Sequence, residues 1–453
     1  MPHKQIRFGT SGWRGVMADD VTFDKVRAAV AAIADYVRQQ NPRNPQLIVG
    51  YDTRFLSDKF AQTAVEVLRA RQLQCFLCQQ PTPTPAIAHE IRRRQADGGI
   101  NVTASHNPPE YNGLKFSTSD GAPAPPEVTR QLERLAEKYL QARTPAPSPG
   151  EPGGCEKIDP RPPYLEMLAE KIAVGEMKRA GLKVVFDPLY GTGSGYLDRF
   201  LAEHGIEVHT VHGHRDVLFG GHAPEPAEEI LGPLREAVQA RGAHLGLSTD
   251  GDADRFGVLD RTGAFISANH ILALLLDYLL ETRPQAPRGV ARSVATTHLI
   301  DAVARHHHVP VRETPVGFKY IGELIKRDKI IIGGEESAGL SIYGHLPEKD
   351  GILACLLVAE MVARRQASLG EQLRALFDKV GAYYPVRVNL PLAAAGRNRV
   401  VERLRRDPKR FNGRPVASIN RTDGLKLLFD DDSWVLMRLS GTEPVVRCYG
   451  EAH

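Results

Sequence analysis

Short apolar runs alternate along the chain with longer segments in which apolar residues recur every three or four positions. The run Leu47–Asp52 predicts a buried strand, and the following segment, Asp58–Ala70, predicts an amphipathic helix. The same order recurs twice more, at Lys183–Asp187 with Gly195–His204 and at Val290–Val294 with Leu299–His306. Strands that alternate with helices are typical of α/β layers, so the three openings indicate a triplicated α/β unit.

Breaks in this pattern predict the domain boundaries. The segment Thr144–Gly154 is too rich in Pro and Gly to hold a regular element. From Gly381–Arg387 onwards the pattern changes to strands, near Tyr384–Asn389, Leu425–Phe429 and Trp434–Leu439. With a further boundary near Phe256, we expect an α/β fold of three related domains, 1–150, 151–255 and 256–375, followed by a smaller α+β domain at 380–453.

Composition limits the function without identifying it. The 58 Lys and Arg residues exceed the 54 Asp and Glu residues only slightly, a net charge of +4. This balance does not favour a nucleic-acid binder, although a local basic pocket for a small anion is compatible with it. The most apolar segments, His270–Leu280 and Ile352–Ala363, are shorter than the roughly 20 residues of a membrane span, so we expect buried helices and no membrane partner.

The five cysteines and the polar amino end favour a reducing cytoplasm. Cys75 and Cys78 have the internal spacing of half a zinc site. No second pair and no nearby histidine couple accompanies them, so reduced, buried thiols are the favoured interpretation.

An acidic loop, Asp250–Arg255, predicts a metal site. Its three carboxylates stand at alternate positions and repel one another unless the loop curls around a cation. An EF-hand calcium loop needs Gly and Glu where this chain has Arg255 and Arg261, so that interpretation is excluded. We expect a hard, oxygen-preferring cation, Mg²⁺ first, with room for a phosphate oxygen, held by Asp250, Asp252 and Asp254.

A candidate nucleophile follows the apolar strand Gly98–Val102. Ser105 lies just past the strand end, which is where open α/β sheets place ligand chemistry. A hydroxyl with the adjacent imidazole of His106 and the nearby ammonium of Lys115 indicates a nucleophile or a phosphate carrier.

Three further Gly-containing loops suit a sugar phosphate. Guanidinium, hydroxyl and exposed backbone donors for a phosphate stand at Arg438, Ser440, Gly441, Thr442 and Arg447. Acceptors for vicinal sugar hydroxyls, Glu335 and Ser337, stand in the loop Gly333–Gly339 after Lys329–Ile332, and Arg14 lies in the loop Gly9–Gly15. No Walker-type loop occurs, and Gly191–Gly195 lacks dinucleotide spacing, so we expect no nucleotide cofactor.

These five segments, in this order, resemble the α-D-phosphohexomutase superfamily of phosphoglucomutase and phosphomannomutase enzymes, over essentially the whole chain. The resemblance implies a heart-like arrangement of four domains, each contributing a loop to one central cleft. It also implies that Ser105 is carried as phosphoserine, and that Mg²⁺ is held by a phosphate oxygen on Ser105 together with Asp250, Asp252 and Asp254.

The resemblance further implies that a hexose phosphate exchanges a phosphoryl group with Ser105. A hexose 1,6-bisphosphate, which acts as intermediate and activator, turns around in the cleft. The remote phosphate is expected at Arg438, Ser440, Gly441, Thr442 and Arg447, and the sugar at Glu335 and Ser337. Positive charge is expected from Arg14, Lys115, Arg255 and Lys319, and the alternatives for the general base are Lys115, Lys319 and His106.

We therefore expect an enzyme that interconverts glucose 1-phosphate and glucose 6-phosphate. A phosphomannomutase or a dual-specificity enzyme is the alternative, because Glu335 and Ser337 match a loop that contacts hydroxyls common to both sugars. The amino-sugar mutases usually carry Gln where Glu336 stands, which favours a neutral hexose. A non-enzymatic sugar-phosphate binder and a serine-dependent phosphatase are the rival hypotheses, and the expected assembly is a monomer or homodimer.

Overall fold

A computed structural model describes residues 5–9, 11–142, 153–393, 396–440 and 445–453. Most of the predicted boundary segment Thr144–Gly154 lies outside these residues. Four units, each with its own main sheet, follow one another along the chain.

The first domain places helices against a six-stranded sheet. Its elements are β1 (Trp13–Val16), α1 (Phe23–Gln40), β2 (Gln46–Tyr51), α2 (Ser57–Ala70), β3 (Gln74–Cys78), α3 (Thr84–Arg94), β4 (Gly98–Val102), β5 (Tyr111–Thr118), α4 (Pro126–Gln141) and β6 (Cys155–Ile158). The sheet order is β1-β5-β4-β2-β3-β6, with β1 and β5 antiparallel to their neighbours. Because both faces are covered, β2 is apolar and buried along most of its length. Strand β6 extends this sheet beyond the boundary expected at residue 150.

The second domain contains a four-stranded sheet of order β10-β9-β7-β8. Its elements are α5 (Arg161–Ala169), α6 (Val174–Arg179), β7 (Lys183–Asp187), α7 (Leu197–Glu203), β8 (Glu207–Thr210), α8 (Gly232–Arg241), β9 (Leu245–Thr249) and β10 (Phe256–Asp260). Strand β10 pairs antiparallel with β9, so this sheet continues past the boundary expected at residue 255.

The third domain contains a four-stranded sheet of order β12-β11-β13-β14. Its elements are α9 (Ala268–Thr282), β11 (Val290–Ser293), α10 (Leu299–His306), β12 (Val311–Thr314), α11 (Phe318–Lys326), β13 (Ile332–Glu335), β14 (Gly339–Ile342), α12 (Gly351–Arg365) and α13 (Leu369–Val380). The expected loop Gly333–Gly339 is shorter than predicted, because its first three residues belong to β13 and Gly339 begins β14.

The three sheets share one topology, which confirms the triplicated α/β unit. In each, two parallel strands joined by a helix are followed by a third parallel strand and then by an antiparallel fourth. The equivalent runs are β5-β4-β2-β3, β10-β9-β7-β8 and β14-β13-β11-β12. The turn between the third and fourth strands therefore occupies the same topological position in all three domains.

The fourth domain is a smaller, mostly antiparallel unit, as expected. Its elements are β15 (Tyr384–Pro391), α14 (Arg397–Leu404), β16 (Arg410–Phe411), β17 (Arg414–Pro415), β18 (Ser418–Asn420), β19 (Leu425–Leu428), β20 (Trp434–Leu439) and β21 (Val445–Ala452). The sheet order is β15-β21-β20-β19-β18. Trp434, Leu436 and Tyr449 of this sheet pack against Val294 and Ala295, so the domain rests on the third.

Packing between the domains positions the site. One continuous apolar core includes residues of both the second and third domains, such as Phe200 and Leu356. Helix α12 of the third domain packs directly against β9 and β10 of the second. The segment just before α12 is thereby brought to the acidic loop between those two strands.

The structure bears on the expected buried helices and on the two closely spaced cysteines. Among the described residues, no helix combines the length and apolarity that a bilayer crossing requires. Both Cys75 and Cys78 are free, buried thiols, as the spacing argument favoured.

Candidate active site

The candidate residues of the first three domains lie at one repeated position in the topology. Ser105 lies between β4 and β5, the loop Asp250–Arg255 between β9 and β10, and Glu335 at the end of β13. Each therefore lies at or just past the end of the third parallel strand of its unit, at the carboxyl edge where α/β sheets bind ligands. In the fourth domain Arg438 lies near the end of β20, and Ser440 directly follows that strand.

Ser105 is held in a strained and almost fully buried conformation. Its φ of 53° lies in the left-handed region, and its side chain is 1% exposed. Its Oγ donates to Asp250 Oδ2 at 2.7 Å and lies 3.2 Å from His106 Nδ1. Its backbone N–H donates to Thr103 Oγ1 at 2.8 Å, so the hydroxyl has a defined direction.

A glycine lets the serine loop and the acidic loop approach each other. A Cβ added at Gly251 would lie 2.6 Å from the Ser105 carbonyl oxygen, closer than such atoms approach in proteins. Any side chain at position 251 would therefore separate Ser105 from Asp250.

The three aspartates form a compact, buried acceptor cluster. Asp250, Asp252 and Asp254 are at most 1% exposed, and each offers one oxygen within 4.8 Å of the others. Asp250 Oδ1 accepts from the backbone N–H groups of Asp254 and Arg255, both at 3.0 Å. Within the described part of the chain, Oδ1 of Asp252 and Oδ1 of Asp254 accept no hydrogen bond. Buried carboxylate oxygens without donors are suitable ligands for a hard divalent cation.

Two lysines partly neutralise this cluster. Lys115 Nζ lies 2.6 Å from Asp252 Oδ2 and 2.7 Å from Asp254 Oδ2. Lys349 Nζ, from the third domain, lies 3.0 Å from Asp254 Oδ2. Burial would raise the pKa of Asp254, but Lys115 and Lys349 outweigh it and lower that pKa. Burial and the neighbouring Asp252 and Asp254 raise the pKa of Asp250.

Further cationic and imidazole groups surround Ser105. Arg14 Nη1 donates to Asn107 Oδ1 at 2.8 Å, which places the guanidinium at the serine loop. Arg255 Nη1 lies 3.6 Å from Glu225 Oε1. Burial, together with the charges of Arg255 and Arg14, lowers the pKa of His106 well below its usual value, so this imidazole is neutral at pH 7.

The structure does not bring Lys319 into this cluster. Its ammonium lies 5.2 Å from the ring centroid of Tyr320, and burial lowers its pKa. The charged groups that influence it are Glu127 and Arg130 of α4. Of the three residues expected as general base, His106 and Lys115 contact the site and Lys319 contacts neither Ser105 nor the aspartates.

Glu335 is a buried carboxyl group at the end of β13. It is 5% exposed, and its Oε1 accepts from the Gly317 N–H at 2.7 Å. Burial and the neighbouring Glu336 raise its pKa to about 7. Ser337 follows, half-buried, in the turn between β13 and β14.

The fourth domain presents two arginines side by side. Arg438 and Arg447 face each other across β20 and β21. Arg438 Nη2 lies 3.0 Å from Asp423 Oδ2, which fixes one end of the guanidinium. Ser440 is buried and its N–H donates to Val445 O at 3.0 Å. The expected phosphate ligands Gly441 and Thr442 lie outside the described residues.

Two buried residues at the site have no place in the sequence-based prediction. Lys349 precedes α12, in a loop that reaches the aspartates only because α12 packs on the second domain. Arg54 lies beneath the serine loop and donates to the Ser105 carbonyl oxygen at 2.7 Å. The sequence could have indicated Arg54 as a site residue, because it comes shortly after the end of a buried parallel strand, as Ser105 does.

A second acidic group, in the third domain, is already occupied by cationic side chains. Asp277, Glu281 and His307 have ligand atoms close enough to hold a metal. Arg365 and Lys379, however, pair with both carboxylates, at distances from 2.6 to 3.5 Å. Lysines pair with the aspartate cluster next to Ser105 as well, but two of its buried oxygens, Asp252 Oδ1 and Asp254 Oδ1, accept no hydrogen bond from any described residue, so this cluster is the better candidate for a cation.

Comparison with known proteins identifies the family. The family descriptions "Phosphoglucomutase/phosphomannomutase, alpha/beta/alpha domain I", "II" and "III" match residues 5–143, 162–263 and 267–380, and the "C-terminal domain" matches 389–453. A "Phosphoglucomutase/phosphomannomutase" of Thermococcus kodakarensis is 31% identical over 98% of this chain and 94% of that protein. A "Probable phosphoglucosamine mutase" of Pyrococcus abyssi is 32% identical with the same coverage.

A solved structure agrees with these relatives. The crystal structure of a "putative phosphomannomutase" from Thermus thermophilus is 32% identical and has a TM-score of 0.86, covering 99% of this chain and 95% of that chain. The chain belongs to the phosphoglucomutase/phosphomannomutase family of phosphohexomutases.

Proposed function

We propose that this family member interconverts glucose 1-phosphate and glucose 6-phosphate through a phosphoserine at position 105. The observation that carries the proposal is the 2.7 Å contact between Ser105 Oγ and Asp250, inside a buried cluster of three aspartates. A hydroxyl beside a cation site is what a phosphate carrier requires, because the transferring group is itself anionic.

Asp250, Asp252 and Asp254, together with the phosphate on Ser105, would hold the cation, and Mg²⁺ is the ion that this set of oxygens suits. The Oδ1 atoms of Asp252 and Asp254, which accept no hydrogen bond within the described ranges, are hard oxygen ligands of the kind that Mg²⁺ prefers. When bound, Mg²⁺ neutralises charge on the phosphoryl group and lowers the barrier to its transfer.

Transfer breaks the bond between phosphorus and Ser105 Oγ and forms a bond from phosphorus to a sugar hydroxyl oxygen. The hydroxyl proton must leave, and Oγ must gain one. His106 is neutral beside the free hydroxyl and lies 3.2 Å from Oγ, so it takes the Oγ proton when Ser105 attacks the bisphosphate and, as imidazolium, returns that proton when Oγ is the leaving group. The proton of the sugar hydroxyl, on the opposite side of phosphorus, exchanges with solvent. The second half of the reaction reverses these steps with the other phosphate of the bisphosphate.

Cationic side chains stabilise the phosphoryl group while it moves. Lys115 is buried, yet Asp252 and Asp254 raise its pKa, so it stays protonated. Arg14 and Arg255 add positive charge on the side of the serine loop. Such preorganised charge in a site with little water is the main source of catalysis in phosphoryl transfer.

The remainder of the substrate binds to the third and fourth domains. Arg438, Arg447 and Ser440 bind the phosphate that is not reacting, and the Glu335 carboxylate accepts hydrogen bonds from sugar hydroxyls. The same phosphate site serves both orientations of the bisphosphate. A phosphomannomutase activity is the second candidate, since the Thermococcus kodakarensis relative carries both names.

Turnover of glucose 1-phosphate with Mg²⁺ and a trace of glucose 1,6-bisphosphate tests the proposal. We expect glucose 6-phosphate to form, Ser105→Ala to abolish it, and Ser418→Ala, at an exposed position of β18, to leave it unchanged. Mannose and glucosamine phosphates, assayed on the same sample, measure substrate preference. Release of free phosphate at the rate of isomerisation would instead favour a phosphatase, and no turnover of any hexose phosphate would refute the proposal.

A further inference from the structure

The side chain of Arg54 hydrogen-bonds the main chain of the serine loop, residues 105–111. The side chain is fully buried, and its two terminal nitrogens donate to four carbonyl oxygens of that loop. Nη2 donates to Ser105 O at 2.7 Å and to Asn107 O at 2.6 Å, and Nη1 donates to Pro108 O at 2.7 Å and to Tyr111 O at 3.1 Å. One side chain therefore determines the course of the loop over seven residues.

The loop needs such a donor because its own backbone hydrogen bonds, from Asn107 N–H to Ala104 O at 3.1 Å and from Tyr111 N–H to Pro108 O at 3.0 Å, do not include the carbonyl oxygens of Ser105 and Asn107. Pro108 and Pro109 have no N–H group, and Ser105 has left-handed backbone angles, so no regular ladder can form here. Buried carbonyl oxygens without donors are costly. The planar guanidinium offers several donors in a fixed fork, which a lysine ammonium does not.

Neighbouring groups fix the position of Arg54. Its Nε lies 3.2 Å from Asp52 Oδ2, in an ion pair with both side chains fully buried. Asp52 Oδ1 in turn accepts from Ser57 Oγ at 2.6 Å and from the Arg54 N–H at 3.0 Å. The guanidinium is thus oriented by a carboxylate that is itself hydrogen-bonded.

The second domain contacts Arg54 and the residue before it. Arg215 Nε donates to Thr53 O at 3.0 Å, and its Nη2 donates to Arg54 O at 3.2 Å. The ring of Phe219 lies 4.9 Å from the Arg54 guanidinium. The strand end that carries Arg54 is therefore attached to the domain that supplies the three aspartates.

We infer that Arg54 is a positioning residue that holds Ser105 in line with the acidic cluster of the second domain. This inference rests on the proposed function, because the atom it positions is the proposed phosphate carrier. Arg54 acts on the phosphoryl step and not on sugar binding, since its guanidinium contacts carbonyl oxygens of the loop, the Asp52 carboxylate and the Phe219 ring. A small displacement of a reacting group costs on the order of 100-fold in rate.

The test compares Arg54→Lys and Arg54→Gln with the parent enzyme and with Arg43→Gln, an exposed arginine of the same domain. Arg54→Lys retains the positive charge opposite Asp52 and removes only the several fixed N–H donors of the guanidinium. We expect kcat to fall about tenfold or more in both Arg54 variants, with KM within about twofold and melting temperatures that still show a folded protein. Arg43→Gln should match the parent in all three quantities.

Three outcomes would overturn the inference. The first is a kcat within about twofold of the parent in both folded variants. The second is a rise in KM with kcat unchanged, which would make Arg54 a determinant of substrate binding. The third is failure of both variants to fold, which would make Arg54 a residue on which the fold itself depends. An inactive parent enzyme would instead refute the proposed function and is distinguishable from all three.

Discussion

Ser105 Oγ donates a hydrogen bond to Asp250 Oδ2 at 2.7 Å, and this contact joins the first domain to the second. A phosphate on that oxygen would bring about two negative charges next to three buried carboxylates. Lys115, Lys349 and Arg255 supply three positive charges at the cluster against about five negative ones, so a phosphorylated Ser105 is electrostatically unfavourable without a further cation. The proposed mechanism therefore requires a divalent metal.

Removing the metal is expected to abolish turnover. We predict that a chelator stops the reaction, that Mg²⁺ restores it, and that Asp252→Asn raises the Mg²⁺ concentration for half-maximal rate at least about tenfold, since it removes one charged ligand. A Mg²⁺ titration of the initial rate measures this. Glu281→Gln, in the acidic group of the third domain, is the matched control and should leave the titration unchanged. Full activity of the parent enzyme in excess chelator would contradict the prediction.

The ion pair between Lys349 and Asp254 is expected to stabilise the packing of the third domain on the second. Lys349→Met removes one of the three cations that pair with the buried Asp254 carboxylate, so we predict a loss of about 3 kcal/mol in the free energy of unfolding. Denaturant unfolding of the single variants and of the double variant with Asp254→Asn measures the coupling. The penalty for losing Lys349 should shrink when Asp254 is already neutral, and equal penalties in both backgrounds would show that the two side chains act independently.

Glu335 is expected to make stability depend on pH. Burial and Glu336 raise its pKa from 4.5 to about 7, so the folded protein binds this proton more tightly than the unfolded chain. Its contribution is fully present below pH 4.5 and is lost as the pH rises through about 7. Relative to Glu335→Gln, the parent protein should therefore lose on the order of 3 kcal/mol between pH 4.5 and pH 8.

Denaturant unfolding of both proteins at several pH values, without substrate, measures this difference. The exposed Glu66 of α2 offers a control, and Glu66→Gln should follow the parent across the range. A difference between Glu335→Gln and the parent that stays constant with pH would show that Glu335 ionises in the folded protein as it does in the unfolded chain.

Arg438 is expected to determine how tightly the remote phosphate binds. Arg438→Lys keeps the charge but loses the forked geometry and the contact with Asp423, so we predict a fall in kcat/KM of about 10- to 100-fold, mostly through KM. Steady-state rates with glucose 1-phosphate measure it, and Arg399→Lys, at an exposed position of α14, serves as control. An unchanged KM would place the phosphate elsewhere in the fourth domain.

Local patterns were sufficient to predict much of the fold. The strand Trp434–Leu439 and the helix Leu299–His306 match their predicted bounds, because each is a single apolar segment with clear ends. The length of the loop Gly333–Gly339 was overestimated, because glycine is typical of loops, whereas Gly333 and Gly334 belong to β13 and pair with β14. Glycine in a strand marks close packing here, as Leu272 lies against Gly334.

The sequence predicts the site residues that follow a strand, but not those that reach the site only because two domains pack together. Ser105 and the aspartates come directly after β4 and β9, which the pattern of apolar residues reveals. Lys349 reaches Asp254 only through the packing of α12 on β9 and β10, a long-range relationship with no local signature. Lys319 stays a prediction, because the charged groups that influence its ammonium are Glu127 and Arg130 of α4, and it contacts neither Ser105 nor the aspartates.

The phosphorylation of Ser105 is the central claim, and intact-protein mass spectrometry tests it most directly. The enzyme is incubated with glucose 1,6-bisphosphate and Mg²⁺, separated from it, and then exposed to glucose 1-phosphate. We predict that one phosphate is gained, that peptide mapping places it on Ser105, and that glucose 1-phosphate removes it at a rate no slower than kcat. A phosphate that the substrate cannot remove, or no phosphate on Ser105 in an enzyme that turns over, would contradict the account.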